Sequence, residues 1–580
     1  MKIEKIRHSL AHILAAAVKR LYPEVKIGMG PAIDNGFYYD FDFKQNINEN
    51  DLKKIEKEMR KIIKEKQTFK QEKVSVDKAR EIFQNQPYKL EIIDDIDDDK
   101  INLYKNGDFV DVCRGPHIDS TSEIKPDSFV LDRLAGAYWK GDEKNKMLQR
   151  VYGLAFKNKK ALADFIEKRK EARERDHKKL GKELDLFVFS EIVGPGLPLF
   201  TPKGKRVLDK IKNYSRELRK EMGYQEVQTP QINKDDLFKT SGHYDKYKDD
   251  MLSVQSHYTD EKYFLKPMNC PQHTQIYASK LRSYRDLPVR YSDLSLLYRD
   301  EKPGELSGLA RLRCFSQDDG HSFCREDQIK SEFNRIINGV NKALKTYDLD
   351  YYIRFSTWDE DDKDSYLGDK SLWKKSQKKL RDLIEEKDVE FKIGKGEAAF
   401  YGPKVDFMAK DSLGREWQIS TIQLDFNMPQ RFDLEYVDEN GDRQTPVMVH
   451  AAIIGSPERF FGILIEHYAG NFPAWLAPQP VVIIPISDNN YEYVDGILEN
   501  LEKHNIFASI DKSDNTLGKK IRNAETNKIP YILVVGDKEM DKNKVNVRFR
   551  HKKETALIDK DKFVEKITEK INNRDKALEL

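Results

Sequence analysis

The sequence predicts a multidomain α+β protein, and three observations carry that expectation. The chain has 580 residues, more than one hydrophobic core organises, so three or four domains are expected. From Asn158 to Glu183 it is densely charged and almost free of Gly and Pro, which reads as an exposed helix joining two domains. At residues 477–480 the breaker "APQP" precedes the apolar strand "VVIIPI" and a tail in which strand-like and helical runs alternate.

The first element is a helix over residues 7–21, with Leu10, Ile13, Leu14, Ala17, Val18 and Leu21 at helical spacing. His8 and His12 share a face roughly opposite the apolar one. Ala11, Ala15 and Ala16 beside them leave room for another element to approach. Mixed strand and helix signals follow around the turn-rich "GPAIDNGFYYDFDF", and the acidic run "DDIDDDK" (residues 94–100) reads as a solvated loop. A new domain begins near Asp185, where "VGPGLPLFTPKG" supplies breakers. A helix over 203–222 leads into "GYQEVQTPQI", which alternates as a strand. In the tail "PYILVVG" and "KVNVRFR" are strand-like, and the region forms a small α/β domain.

Composition narrows the function classes. Charged residues make up 35% of the chain and hydrophobic ones 38%, which suits a heavily solvated protein. No apolar run approaches the roughly 18 residues of a membrane span. The N-terminal "MKIEKIRHSLAHILAAAVKRLYP" has the charge of a signal peptide, but its two histidines and lack of a clean cleavage site argue against one. Four cysteines, none closely paired, fit a reducing cytosol, so a cytoplasmic location is expected. The net charge of +3 leaves any nucleic-acid contact to local patches, such as the 12 Lys/Arg against 5 Asp/Glu between Lys512 and Lys553. In "RLRCFSQDDGHSFC", Cys314, His321 and Cys324 invite reading as one metal site. Their spacing is uncommon for zinc, and Cys314, in strand-like alternation, reads better as a small buried hydrophobe.

Three stretches of the middle region resemble the three motifs of class II aminoacyl-tRNA synthetases: "GYQEVQTPQI", "YRDEKPGELSGLARLRCFSQDDGHSF" and "GSPERFFGILIEHYAG". With "LKPMNCPQH", "FYGPKVDF" and "QISTIQLDF" they are similar to the threonyl-tRNA synthetase family, from about residue 1 to the C-terminus. The resemblance implies an α+β editing domain at 1–156, a helical linker at 157–184, a class II antiparallel-sheet core at 185–478 and an α/β anticodon-binding domain at 479–580. The small ubiquitin-like domain that opens many members is expected to be missing.

The implied reaction attaches L-threonine to tRNA(Thr) through a threonyl-adenylate at the expense of ATP. Attack on the α-phosphate builds negative charge that fixed cations must stabilise. By the resemblance, Arg299, Arg311, Arg459 and Lys404 are the catalytic residues. Arg299 grips the threonine carboxylate and the α-phosphate, since a planar guanidinium matches both. Arg459 reaches the γ-phosphate, and Phe315 stacks on adenine with Arg311 beside it. Gln418, Thr421, Gln423 and Ser456 join Lys404 around ATP or the adenylate, and Mg2+ accompanies the ATP. Gln317, Asp319 and Tyr401 surround threonine. One zinc per subunit is implied on Cys270, His321 and His450, with the open position of a working site. Threonine fills that position through its amine and β-hydroxyl, whereas valine has no hydroxyl and is refused by chemistry rather than shape. His273, beside Cys270, is assigned to the scaffold.

Serine also carries a β-hydroxyl, and one missing methyl discriminates by only about 1–3 kcal/mol. The resemblance therefore implies hydrolytic editing of seryl-tRNA by His8, His12, Cys113 and His117, with Asp111, Tyr39 and Lys89 around them. An imidazole there positions or deprotonates a water, with a pKa suited to neutral pH. Four such residues would also make a metal site, as in the related alanyl editing domain, but this family is understood to edit without metal. Arg522, Glu539 and Arg548 fall where the family's anticodon contacts lie, on a domain type that reads splayed RNA bases. A homodimer through the first motif is implied as well. The rival readings are a prolyl- or seryl-type class II enzyme and an inactive RNA-binding paralogue. The cysteine–histidine set favours threonine, and the intact motif arginines favour a working enzyme.

Overall fold

The structure is a computed structural model that describes residues 2–387 and 389–580. It divides into two compact units, one ending at Lys170 and the other running from Glu171 to Leu580.

In the first unit the predicted helix begins at Lys2 and runs to Leu21, with Glu4 in the first turn complementing the helix dipole. With the helix Glu49–Lys64 it packs on an antiparallel sheet ordered Lys26–Ile27, Gly36–Asp42, Met147–Ala155, Phe129–Tyr138, to which Ala32–Ile33 adds beside Gly36–Asp42. Leu10, Ile13, Leu14, Phe37, Phe41, Ile55 and Met59 form the core. Leu21, expected inside, is 40% exposed where the helix ends. The face opposite the apolar stripe is also covered, so every residue from Ser9 to Val18 is buried. A second sheet, Phe69–Ser75, Lys100–Asn106 and Phe109–Val112, causes this: the rings of Phe69 and Phe109 stand 6.2 and 6.0 Å from that of His12. Ala11, Ala15 and Ala16 keep the helix slim enough to be covered this way. A histidine pair placed there needs hydrogen-bond partners, because buried polar groups are costly without them.

The charged stretch forms two helices, Lys159–Arg175 and His177–Glu183, and Leu162 is the buried residue of the first. The boundary between the units falls inside that first helix.

The second unit is built on an eight-stranded sheet ordered Gln225–Glu226, Val289–Asp293, Asp319–Cys324, Val447–Ala452, Glu416–Asp425, Lys404–Lys410, Asp350–Thr357, Phe391–Lys395. The six inner strands are antiparallel, and only the two edge strands pair in parallel. Helices Pro202–Glu221, Ile329–Thr346 and Pro457–His467 bury Val207, Ile211, Phe333, Ile336, Phe460 and Phe461 in its core. Each such side chain contributes about 1.5–3 kcal/mol of burial. "GYQEVQTPQI" is not one strand: pairing stops after Glu226, and the chain resumes at Ile232–Lys234 in a separate three-stranded sheet. Pro230, which has no N–H to give a ladder, lies in the break. Cys324 is fully buried in the core, whereas Cys314, expected to be the buried hydrophobe, is half-buried opposite Tyr298 on a two-stranded ribbon.

The tail carries a five-stranded sheet ordered Ala508–Ile510, Val481–Pro485, Tyr531–Val535, Lys544–Phe549, Thr555–Asp559, with helices Tyr491–Lys503, Leu517–Thr526 and Lys560–Asn572. This is the small α/β domain read from the alternation. Among the described residues no helix is long and apolar enough to cross a membrane.

Register on the large sheet places the chemistry. His321 faces His450, which faces Gln423, and Asp319 faces Ala452, which faces Thr421. Directly paired residues project from the same side of a sheet, so these rows put their side chains on one surface.

Candidate active site and a second histidine cluster

On that surface one ligand atom each from Cys270, His321 and His450 lies within 4.8 Å of the others, and all three residues are buried. Cys270 opens the helix Cys270–Ala278. His321 and His450 meet edge to face with centroids 4.7 Å apart. Both are braced from behind: His450 Nε2 lies 3.1 Å from Asp425 Oδ2, and His321 Nδ1 lies 2.7 Å from His273 Nδ1. His273 stands in turn 3.9 Å from Asp293, so its scaffold assignment acquires a concrete form. Burial, with His450 and His273 beside it, holds His321 well below the usual imidazole range, in the neutral form that ligates metals. Burial likewise pushes the Cys270 thiol up, helped by Asp319 and Asp425. Asp319, raised by its own burial, accepts from Asn269 Nδ2 at 3.2 Å.

Cys270, His321, His450 and Asp319 line a nook of about 110 Å³, shared with Arg299, Gln317, Tyr401, Thr421 and Gln423. The same five also line a cleft of about 580 Å³, with Arg311, Phe315, Lys404, Gln418, Ser456 and Arg459. That volume suits a nucleotide-sized ligand. All the residues predicted around ATP and threonine therefore converge on two connected cavities.

The charges within the cleft are uneven. Arg311 is held by Glu301 and Glu305, each at 2.7 Å, on its own loop. Among the described residues no carboxylate pairs with Arg299 or Arg459, and the Nε of each is buried without a hydrogen-bond partner. Arg299 lies 5.3 Å from the centre of the Phe315 ring. Burial and the nearby Arg311 lower the pKa of Arg459. Ser456 caps the helix Pro457–His467 by accepting from Arg459 N at 3.3 Å, so a helix N-terminus also faces the cleft.

Sequence reasoning missed Asp406, the carboxylate that organises the opposite wall. Fully buried, it binds Lys404 Nζ at 3.2 Å, Gln418 Nε2 at 2.8 Å and Thr421 Oγ1 at 3.1 Å. Tyr401 donates to Gln423 and stacks on His450 at 4.6 Å. Asp406 and Asp425 both lie in quoted motifs, in "GPKVDF" and "QLDF", but nothing in their spacing told them from structural carboxylates.

In the first unit His8, His12, Cys113 and His117 also bring ligand atoms within 4.8 Å of one another. Cys113 Sγ lies 3.2 Å from His8 Nε2 and 3.3 Å from His117 Nε2. Asp111 accepts from Tyr39 Oη and Lys89 Nζ, each at 2.5 Å, and stands 3.9 Å from His12 Nε2. The seven residues expected there are thus together. Their pKa values differ from the expectation of an imidazole poised near neutrality. Burial, with His12 and His8 beside it, takes His117 down to about 2, and burial lowers His8 and, strongly, His12. Burial pushes the Cys113 thiol up to about 11. At neutral pH the three imidazoles and the thiol are uncharged.

Comparison with known proteins decides the family. Residues 253–468 match the tRNA synthetase class II core domain (G, H, P, S and T), 480–570 an anticodon binding domain, and 101–152 the threonyl and alanyl tRNA synthetase second additional domain. A threonine–tRNA ligase from Thermotoga neapolitana is 46% identical over 580 residues, covering 100% of this chain and 89% of the relative. One from Gloeobacter violaceus is 46% identical over 557 residues, covering 95% and 89%. This chain belongs to the threonyl-tRNA synthetase family. Among solved structures, a threonyl-tRNA synthetase RNA binding domain from Cryptosporidium parvum Iowa II aligns with a TM-score of 0.65 at 35% identity, covering 68% of this chain and 98% of that one. The Aeropyrum pernix ThrRS-1, described as a putative threonyl-tRNA synthetase, aligns at 0.60 and 25% identity, covering 70% and 97%.

For a threonyl-tRNA synthetase the predicted anticodon residues are the least gathered. Arg522 is exposed on the helix Leu517–Thr526, and Arg548 Nε on the strand Lys544–Phe549 is buried without a partner. Glu539 is occupied in accepting from Gly536 N at 3.0 Å. No hydrogen bond or ion pair joins the three. A further group, Asp176, His177 and Glu466, resembles a metal site but is closed by its own bonds. His177 Nδ1 meets Glu466 at 2.6 Å, and its Nε2 accepts from Leu309 N at 3.0 Å, beside the loop that carries Arg311.

Proposed function

We propose that the second unit makes threonyl-adenylate in the connected cavities and transfers threonine to tRNA, while the first unit hydrolyses seryl-tRNA. The activity is that of the family: ATP-dependent attachment of L-threonine to tRNA(Thr), with editing of the serine error. One observation carries the assignment of residues, the pair of unpaired guanidiniums, Arg299 and Arg459, in a cleft that opens into the cysteine–histidine nook. Half-buried cations without carboxylates are costly, and the phosphates of a bound nucleotide supply the missing anions.

Arg299 stands at the junction of the two cavities, so its fork reaches the threonine carboxylate on one side and the α-phosphate on the other. Arg459 takes the far phosphate, and Phe315 with Arg311 takes the adenine. Asp406 holds Lys404, Gln418 and Thr421 in fixed orientation, so charge developing in the transition state meets donors already aligned. Gln317, Asp319 and Tyr401 orient threonine; Gln423 and Ser456 complete the adenylate wall.

Zinc fits Cys270, His321 and His450: one sulfur and two neutral imidazoles, each imidazole braced by a second group, make a zinc-type donor set. When bound, zinc supplies a Lewis-acid position for the amine and β-hydroxyl of threonine.

The proposed division is editing at 1–156, connecting helices at 157–184, catalysis at 185–478 and anticodon binding at 479–580, with Arg522, Glu539 and Arg548 in the last. His8, His12, Cys113, His117, Asp111, Tyr39 and Lys89 form the editing site. The functional particle is a homodimer through the first motif, and the four free thiols suit the cytoplasm. Threonine-dependent ATP–pyrophosphate exchange tests the catalytic reading, with serine weaker and valine inert. Exchange with valine as fast as with threonine would overturn it.

A further inference from the structure

The second cluster contains a serine that its assigned residues leave out. Ser9 is fully buried on the helix Lys2–Leu21, between His8 and the next turn. Its Oγ accepts from Ile118 N at 3.1 Å and lies 3.1 Å from His117 Nδ1. The Ile118 amide is always a donor, so the serine hydroxyl must send its own proton elsewhere. The acceptor within reach is His117 Nδ1, and a buried hydroxyl without an acceptor is unfavourable.

The direction of every following bond is then fixed. With Nδ1 accepting, a neutral His117 carries its proton on Nε2 and donates to Cys113 Sγ at 3.3 Å. Cys113 Sγ also receives Gly115 N at 3.3 Å, so its own S–H points to His8 Nε2 at 3.2 Å. His8, accepting at Nε2, carries its proton on Nδ1. The chain runs one way from Ser9 through His117 and Cys113 to His8, with Cys113 Sγ accepting from both His117 and Gly115.

We infer that Ser9 is a positioning residue for editing: it sets the tautomers of His117 and His8 and holds the cluster as a metal-free hydrogen-bonding site. A metal on the same atoms would take Nε2 of His117 and move that ring's proton to Nδ1. Ser9 would then face two donors, Ile118 N and His117 Nδ1, and its hydroxyl would lose its acceptor. The serine thus works against metal at a cluster whose residue types alone would invite it. His12 keeps Nδ1 without a partner and is the histidine this chain does not consume.

The inference rests on the editing assignment, and the experiment separates the two. In full-length enzyme labelled with 15N-histidine, the His117 signals should report Nε2–H, and added Zn2+ should leave them unchanged. A His117 signal reporting Nδ1–H, or displaced by Zn2+, overturns the inference without any variant being made. Ser9→Ala should slow seryl-tRNA hydrolysis about tenfold, the worth of one hydrogen bond, with threonine-dependent exchange unaltered and the tautomer signal mixed. Ser9→Thr, which keeps the hydroxyl, should restore both readouts. If Ser9→Ala hydrolyses at the wild-type rate while His8→Ala/His12→Ala does not, this inference fails and the editing assignment survives. If the double variant also hydrolyses normally, the editing assignment itself fails.

Discussion

The two cysteine–histidine clusters bring the same side-chain types together in opposite arrangements. Around Cys270, His321 and His450 the supporting groups stand behind the rings: Asp425 on His450, and His273 with Asp293 behind it on His321. Their remaining donor atoms face a nook that the unpaired Arg299 also lines, beside the cleft that holds Arg459. Around His8, Cys113 and His117 the donor atoms are spent on one another, and the neighbouring carboxylate, Asp111, is already claimed by Lys89 and Tyr39. Ligand types and mutual distance do not distinguish a metal site from a hydrogen-bonded one. What distinguishes them is where the second partner of each ring lies.

The largest effect should come from the unpaired cations. Arg299→Ala should cut threonyl-adenylate formation at least about 10³-fold in an exchange assay, because no neighbouring cation replaces its fork. A loss below tenfold would mean that the guanidinium is not where charge develops. Cys270→Ala should remove zinc and activation together, read by metal analysis and exchange, while Cys314→Ala and Cys324→Ala keep the metal. Zinc lost from the Cys324 variant but retained by the Cys270 variant would exchange the roles of these thiols.

His8→Ala with His12→Ala should slow seryl-tRNA clearance about 100-fold and leave threonine activation intact. A chelator should affect activation and spare clearance, and the reverse pattern would erase the contrast between the clusters. Arg522→Ala should weaken tRNA charging about tenfold with adenylate formation unchanged, since it lies on the tail domain.

The smallest effect concerns acid stability. His117 sits at about 2 when folded against an ordinary 6.5, because burial and the other two histidines oppose its proton. The unfolded chain therefore binds the proton first as pH falls. The stability is complete above pH 6.5 and declines progressively below it, toward about 2. The first unit's melting temperature should fall between pH 7 and 5, and His117→Gln should flatten that slope. An unchanged slope would place the acid sensitivity elsewhere.

Much of this was legible in the residues, and the gaps have physical causes. Periodicity located the first helix and the slim alanine face that lets a second sheet cover His12, but not that the covered histidines would lose their affinity for protons. Burial depends on Phe69 and Phe109, far along the chain. The family resemblance named the cysteine and histidines that the nook gathers, and uncommon spacing counted against the local trio with Cys324. Neither could supply Asp406 or Asp425, whose importance comes from cross-strand register, or show that Arg311 is tied to Glu301 while Arg299 is not. Pro230, with no N–H to give a ladder, marks the end of the first motif's strand in the sequence, yet pairing stops four residues earlier, after Glu226.

The pairing of His321 with His450, and of His450 with Gln423, has a consequence for how this protein tolerates change. Side chains alternate across a strand, so deleting or inserting one residue within any of these three strands turns a histidine or glutamine to the opposite face. The cysteine–histidine nook is therefore governed by the odd or even count of residues in its strands, not only by their identity. Length changes should survive in the connecting loops and be purged from these strands, even where every ligand is retained.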